Sequence, residues 1–265
     1  MKGKFKVLLL IVIVFTTTIG CHQEMETRAP KNQYLLLSVL YQQKAAESNA
    51  LAFQAYNLAR LRLNDLLIEY KDSADLAIIL DIDETILDNS PYEARSIVDE
   101  FNYPVGWNEW VAEAKAEAIP GSVEFIKYAK AKGVEVFYIT NRKIENKEST
   151  YENLKSLRLP FIDDEHVFMR ESDNSKVSRR ERVTQNKNVL LYIGDDLTDF
   201  SGDFEGKTVK ERKEIANDFQ KKFGRKWIMI PNAMYGSWYD ALVENKKDLS
   251  NDEMVTLLIS RLENL

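Results

Sequence analysis

Apolar and polar positions change period repeatedly along the chain. Four short apolar runs stand out: residues 76–80 (L-A-I-I-L), 134–139 (V-E-V-F-Y-I), 189–193 (V-L-L-Y-I) and 227–230 (W-I-M-I). Runs of this length predict strands buried on both faces. A shorter pattern at 166–169 predicts another strand, and 175–183 a helix. Residues 34–70 hold no Gly or Pro and are rich in Leu and Ala. Leu51, Ala55, Leu58 and Ala59 there follow the i, i+4, i+7, i+8 spacing of a buried stripe, which predicts one or two helices. Pro120-Gly121-Ser122 opens a helix carrying Val123, Phe125, Ile126 and Ala129, and Gly133 ends it. Helical patterns also cover 146–157 and 252–262. Strands alternating with helices predict an α/β fold, a parallel sheet with helices on both faces. Ligands of such sheets bind at the carboxyl ends of the strands.

The first residues follow neither period. Lys2, Lys4 and Lys6 precede nine unbroken apolar residues, 7–15. That run is too short for a bilayer, which needs about 20 residues, and suits a signal-peptide core. Thr18-Ile19-Gly20-Cys21 resembles a lipobox, with Thr18 where Leu is usual. It implies cleavage before Cys21 and lipidation of Cys21, and two or three acyl chains anchor firmly. Simple secretion, with Cys21 incidental, is the plainer alternative. The chain thus divides into a lipoprotein signal peptide (1–20), a polar tether with Pro30 (21–33) and a folded domain (34–265). The expected location is extracytoplasmic and lipid-anchored. The absence of Asp after Cys21 suits a bacterial outer membrane; the cell membrane is the alternative.

Composition narrows the chemistry. Of the 265 residues 45% are hydrophobic and 29% charged, which permits a real core. The net charge of -6 makes nucleic acid a poor partner. One Cys excludes an intramolecular disulfide and a Cys-based metal cluster, and two His, His22 and His166, argue against multi-His zinc and Ser-His-Asp sites.

Chemistry-bearing residues follow the predicted strands. Asp81-Ile82-Asp83-Glu84-Thr85 follows the first, Thr140-Asn141-Arg142 the second, and Gly194-Asp195-Asp196-Leu197-Thr198-Asp199-Phe200 the 189–193 strand, with Ser175-Lys176 between. Carboxylates crowded at one sheet edge need a cation, and oxygen ligands suit Mg²⁺. Thr140 and Lys176 supply donors for phosphate oxygens, so the set points to phosphoryl transfer. Any one of these Asp residues could instead cap a helix. Arg142 reads first as a structural ion pair and His166 as a surface or packing residue. The basic runs 210–213 and 221–226 read as solvated helix faces.

The ordered set, D-x-D-x-T, a Thr, a Lys, then G-D-D-x-x-D, resembles the haloacid dehalogenase (HAD) superfamily of phosphatases. Residues 79–92 (I-L-D-I-D-E-T-I-L-D-N-S-P-Y) and 191–200 (L-Y-I-G-D-D-L-T-D-F) resemble the two signatures of bacterial class C acid phosphatases. Residues 54–59 (Q-A-Y-N-L-A), 138–143 (Y-I-T-N-R-K) and 231–238 (P-N-A-M-Y-G-S-W) are also similar to that family. The resemblance runs from about Tyr34 to Tyr239. Asp196 departs from it, since many members carry Asn there.

The resemblance implies a HAD-like Rossmannoid sheet and a small, mainly helical cap built from residues 34–70 and about 86–120. It implies a Mg²⁺-dependent acid phosphatase acting in mild acid on phosphomonoesters, 5′-nucleotides preferred. Asp81 would be the nucleophile, forming an aspartyl-phosphate, and Asp83 the general acid and then base. One Mg²⁺ would bind Asp81, the Asp83 carbonyl and Asp195, with Asp199 close behind. Thr140 and Lys176 would hold phosphate oxygens. Trp107 and Tyr235 would grip a nucleoside ring, with Tyr92 and Asn141 as further substrate contacts and Trp110 and Trp238 as other candidates for the roof. Two alternatives stand beside it: a surface lipoprotein binding haem or a host molecule, with His166 or a Tyr as the haem ligand, and a phosphotransferase of the same fold. The oligomeric state stays open, a dimer included.

Overall fold

The computed structural model describes residues 32–246 and 249–263. The signal peptide, Cys21 and the tether up to residue 31 lie outside the described residues. In chain order the elements are α1 (Leu36–Lys44), α2 (Ala46–Glu69), β1 (Leu76–Leu80), β2 (Leu87–Asp88), α3 (Ser90–Val98), α4 (Trp107–Ala112), β3 (Glu117–Ala118) and α5 (Ser122–Ala131). There follow β4 (Glu135–Lys143), α6 (Lys147–Ser156), β5 (Val167–Arg170), α7 (Val177–Thr184), β6 (Asn188–Gly194), α8 (Val209–Asp218), β7 (Trp227–Met229), α9 (Ser237–Leu242) and α10 (Asn251–Ser260).

Five strands form one sheet in the order β5-β4-β1-β6-β7, and every pairing is parallel. β1 is central because both its faces are apolar. Ile78 and Leu80 pack with Val136, Leu191 and Ile193 under α2, α5 and α6, while Ala77 and Ile79 pack with Phe137, Phe168 and Val183 of α7 on the other face. The chain runs outward from β1 through β4 to β5, then crosses back to β6 and β7. Its switch point is therefore at β1, where the crevice beyond the carboxyl ends opens.

α2 buries the predicted Ala55 and Ala59, with Leu58 packed against the core, but its stripe is centred elsewhere. Ala52, Ala55, Tyr56, Ala59, Leu63 and Leu66 face the core, while Leu51 is exposed. Small residues prevail because the layers approach closely: a Cβ on Gly121, at φ +88°, would lie 3.1 Å from the Tyr56 Cβ. α2 thus belongs to the layer covering the sheet and not to a cap. α1 instead packs on α3, and Asn32 Nδ2 donates to the Phe101 carbonyl at 2.7 Å, so the chain docks two residues before the predicted boundary at Tyr34. The cap proper is α3 and α4, inserted between β2 and β3, which pair antiparallel as Leu87 with Ala118 and Asp88 with Glu117.

Two basic runs also differ from expectation. Arg212, in 210–213, is buried on α8 and donates to the Phe204 carbonyl at 3.0 Å. Residues 221–226 form a turn and not a helix face, with Lys222 Nζ 4.1 Å from the Phe219 ring centre and 4.5 Å from that of Trp227.

Glu93 on α3 makes a prediction. Burial pushes its carboxyl from the usual 4.5 up to about 7. Stability is full below the unfolded value near 4.5 and falls as pH rises through the folded value near 7, by up to about 3 kcal/mol. Glu93→Gln removes that loss. Its melting temperature should exceed the wild type's by a margin that widens from about pH 5 to pH 8; a margin independent of pH would contradict this reading.

Candidate active site

The site lies where the switch point opens, on residues at the ends of β1, β4 and β6 and at the start of α7. Asp81 leaves β1 with its N–H donating to the Ile193 carbonyl at 3.0 Å. Asp195 follows β6, and Lys176 occupies the N-cap position of α7. Asp199 ends the 3₁₀ turn Leu197–Asp199, whose cap is reciprocal: Asp196 accepts from the Thr198 N–H, and Asp199 from the Asp196 N–H.

Asp81, Asp195 and Asp199 are buried, with one carboxylate oxygen of each within 4.8 Å of the others. Lys176 Nζ donates to Asp81 Oδ1, and to Asp199 Oδ1 at 2.6 Å. Burial pushes the Asp81 carboxyl up to about 7; Lys176 pulls it down, and Asp199 and Asp83 add to the rise. Burial, then Asp199 and Asp81, push Asp195 well above the carboxylate range. Burial would strip the proton from Lys176, yet Asp199 and Asp81 hold it on. With all three ionised, as a bound cation would hold them, the carboxylates against one ammonium give a charge of 1 − 3 = −2. A hard dication at these oxygens would cancel it, so the donor set fits Mg²⁺ or a similar ion. Gly194 makes room: a Cβ there would lie 2.3 Å from Asp199 Oδ2.

The surrounding shell fixes these carboxylates. Thr85 Oγ1 donates to Asp195 Oδ1 at 3.1 Å, and Asn232 Nδ2 to its Oδ2 at 2.8 Å. Tyr56 of α2 holds the Thr85 carbonyl from behind at 2.6 Å. Arg180 donates to the Thr198 carbonyl at 2.6 Å. Asp196, the departure from the family pattern, turns away from the cluster. Burial would raise its carboxyl, but donors from Ser237 and Thr198 and the Arg212 charge outweigh burial and hold it below the usual range. Its extra charge holds the start of α9, while adding to the rise of Asp195 and Asp199.

Asp83 lies outside the cluster. Arg142 Nε and Nη2 approach its Oδ1 at 2.9 and 2.8 Å, and Asn89 Nδ2 donates to the same oxygen at 2.9 Å. The ion pair expected for Arg142 is therefore made with a candidate catalytic residue. β4 extends past Ile139 to Lys143, so Thr140, Asn141 and Arg142 belong to the strand itself. Thr140 and Arg142 are buried, and Asn141 is exposed. Asn141 Oδ1 accepts from Arg179 at 2.7 Å, which commits the amide oxygen and leaves its NH₂ for an acceptor such as phosphate.

The aromatic candidates separate. Trp107 is half-buried; its ring meets Tyr92 edge-on at 5.0 Å and stands 5.7 Å from the Arg142 guanidinium. Tyr92 itself is buried, with its hydroxyl on the Val105 carbonyl at 3.0 Å and Phe101 against its ring. It backs Trp107 and presents no face to a ligand, which corrects its assignment as a substrate contact. Tyr235 packs with Val39, Ile97 and Met234 beneath the cap, and Trp238 is exposed. Trp110 Nε1 donates to Asn89 Oδ1 at 2.8 Å. His166 lies before β5, at the opposite sheet edge from the carboxylates, between Phe137 and Phe161. Its Nδ1 meets Asp163 at 2.7 Å and its Nε2 meets Glu135 at 3.5 Å, so neither nitrogen is left for haem iron.

Sequence reasoning gave no role to Thr85, Asn89, Asn232 or Arg179. The first three stand inside signatures already visible in the sequence. Arg179 lies in the polar stretch S-R-R-E-R, where no signal sets it apart.

A model of the HAD superfamily, subfamily IIIB (acid phosphatase), matches residues 15–238. The class C acid phosphatase from Bacillus anthracis is similar in structure, with a TM-score of 0.83 and 39% identity over 88% of this chain and 98% of that one. Its tungstate-bound form gives 0.82 and 38%. Acid phosphatase 1 of Solanum lycopersicum is 28% identical over 56% of this chain, and a stem 28 kDa glycoprotein of Glycine max 26% over 63%. The chain spans 60% and 66% of those two plant proteins, less than two thirds of either.

Proposed function

Because the chain belongs to the subfamily IIIB acid phosphatases of the HAD superfamily, we propose that it hydrolyses phosphomonoesters, 5′-nucleotides preferred, through a phosphoryl group carried on Asp81. The observation that carries this reading is the buried cluster of Asp81, Asp195 and Asp199 around Lys176, whose charge is 1 − 3 = −2 when all three carboxylates are ionised. A site so charged is built for a dication and a phosphoryl group. The tungstate named for the Bacillus anthracis relative, a tetrahedral oxyanion like phosphate, supports the same substrate class.

Asp81, Asp195 and Asp199 would hold Mg²⁺, with the Asp83 carbonyl as the further expected ligand. When bound, the ion neutralises their repulsion and polarises a phosphoryl oxygen. Asp81 attacks phosphorus with its free carboxylate oxygen. Lys176, already between Asp81 and Asp199, adds positive charge where the transferring oxygens gather. The Thr140 hydroxyl and the Asn141 NH₂ donate to the remaining oxygens. Asp83 gives a proton to the departing alcohol and takes one from the hydrolytic water.

The half-buried Trp107 at the cap, beside Arg142, supports the nucleotide preference, since stacking one base contributes about 1–3 kcal/mol. Phosphate release should be measured from a 5′-nucleotide and from a small alkyl phosphate, with Mg²⁺ and with EDTA. Trp107→Ala should raise KM about 5-fold to 10²-fold for the nucleotide, on that stacking scale, and leave the alkyl phosphate little changed. Equal changes for both would remove the nucleoside subsite.

The lipobox-like segment ending at Cys21 supports an enzyme held outside the cytoplasm by a lipid anchor. Expressed in a bacterium, the full chain should partition with membranes and Cys21→Ala should not. Membrane partition unaffected by the substitution would exclude Cys21 as the anchor.

A further inference from the structure

We propose that Arg142 and Asn89 are positioning residues that hold Asp83 by Oδ1, so that Oδ2 is the atom that exchanges the proton. The inference rests on the reading of Asp83 as the acid and base. Two hydrogen bonds and an ion-pair contact converge on Oδ1: Arg142 Nε and Asn89 Nδ2 donate to it, each at 2.9 Å, and Arg142 Nη2 stands 2.8 Å away. An oxygen already accepting two hydrogen bonds and facing a guanidinium is a poor seat for a proton. Oδ2 accepts from no described residue.

Both holders are themselves fixed. The Arg142 side chain is 1% exposed, and Asp83 is the one carboxylate it meets among the described residues. A second edge of the guanidinium reaches Thr150 Oγ1 at 3.4 Å. Its backbone N–H donates to Thr140 Oγ1 at 3.1 Å, tying the orientation of Asp83 to a phosphate-binding hydroxyl. Asn89 is fully buried. Its Oδ1 accepts from Trp110 at 2.8 Å and from Arg142 Nη2 at 3.3 Å, so its NH₂ is turned toward Asp83. Trp110 belongs to α4, the helix that also carries Trp107. The cap thereby reaches the acid through two hydrogen bonds.

In the first half-reaction a bond forms between an Asp81 carboxylate oxygen and phosphorus, and the bond from phosphorus to the ester oxygen breaks. The electron pair stays on that oxygen, which takes the proton from Asp83 Oδ2. In the second, water adds to phosphorus, its proton passes to Oδ2, and the bond to Asp81 breaks with its electron pair returning to the carboxylate. A merely structural Arg142 would support the fold and act equally on every substrate. A positioning Arg142 matters most where the leaving group needs a proton.

The test is kcat/KM, which reports the first half-reaction, measured on the full chain with Mg²⁺ for p-nitrophenyl phosphate and glycerol phosphate. Nitrophenolate leaves unaided, whereas an alkoxide does not. Asp83→Asn should lose about 10²-fold or more on the alkyl ester beyond its loss on the aryl ester. Arg142→Lys and Asn89→Ala should steepen in the same direction, by about 10-fold to 10²-fold, the scale of a misplaced catalytic group. Equal losses on both esters in these two variants would overturn the positioning role, while a steep Asp83→Asn would leave the acid assignment standing. A flat Asp83→Asn would sink the acid assignment and the inference together. Should Arg142→Lys fail to melt cooperatively, Asn89→Ala decides, since it leaves the Arg142–Asp83 ion pair in place.

Discussion

Asp81→Asn is expected to cut phosphate release by about 10⁴-fold or more, the scale seen when a nucleophile is removed, with the fold intact. The substitution keeps the shape of the side chain and an acceptor for Lys176. It removes the oxygen proposed as the nucleophile. It also removes a charge from a place that resists it, since burial pushes this carboxyl up to about 7. The variant should therefore melt no earlier than the wild type in EDTA. Release measured beside a melting curve separates the two effects. A folded Asp81→Asn that still turns over would move the nucleophile elsewhere and undo the proposed mechanism.

The second large effect is a reversal of sign at Asp195. Mg²⁺ at about 100 times its Kd should stabilise the native chain by about 2.7 kcal/mol. That raises the melting temperature by about 5–10 °C for a chain of this size. In EDTA, Asp195→Asn should melt higher than the wild type, because burial and then Asp199 and Asp81 oppose a charge on this carboxyl, and the amide has none to bury. The new amide oxygen can accept from Asn232, and the Thr85 hydroxyl can turn to accept from the amide nitrogen. In Mg²⁺ the order should invert, since the variant loses a ligand and with it the gain. Melting curves with and without the ion read both halves. A variant that is less stable under both conditions would mean that Asp195 is a structural group whose charge the fold needs.

What could be read from the sequence follows from how each element is stabilised. β1, β4 and β6 were visible because both their faces are buried, so their apolar runs are nearly unbroken. α3 and α4 were not. α3 buries Ser90, Glu93 and Ser96 beside Tyr92 and Ile97, a mixture with no clean stripe. α8 buries only Arg212, and its capping box at Thr208 and Glu211 was its one signal. The site residues Asp81, Asp83, Asp195 and Lys176 were legible because each follows an apolar run or opens a helical pattern, and order along the chain then becomes proximity at one sheet edge. Their supports were not, because hydrogen bonds such as Asn232 to Asp195 join segments 37 residues apart. Of the predicted α2 stripe, Ala55, Leu58 and Ala59 do meet the core and Leu51 is exposed: hydrophobicity favoured Leu, and the close approach of α5 favoured Ala.

The two-residue ribbon of β2 and β3 has a consequence for how this enzyme class diversifies. It brings the start and the end of the cap insertion together, with Leu87 opposite Ala118, about 5 Å apart as paired strands are. Such a neck is a graft point. A cassette of another length or shape can be spliced in there without opening the parallel sheet or shifting the carboxylates at its edge. The α1 face that packs on α3 would have to be matched, along with the bonds between Ala116 and Asn153 and the Asn89 amide that holds Asp83. Substrate range can therefore be rewritten by exchanging the segment beyond Asn89, provided that the new segment keeps a donor for the Asn89 amide oxygen, as Trp110 is here, so that Asp83 stays held.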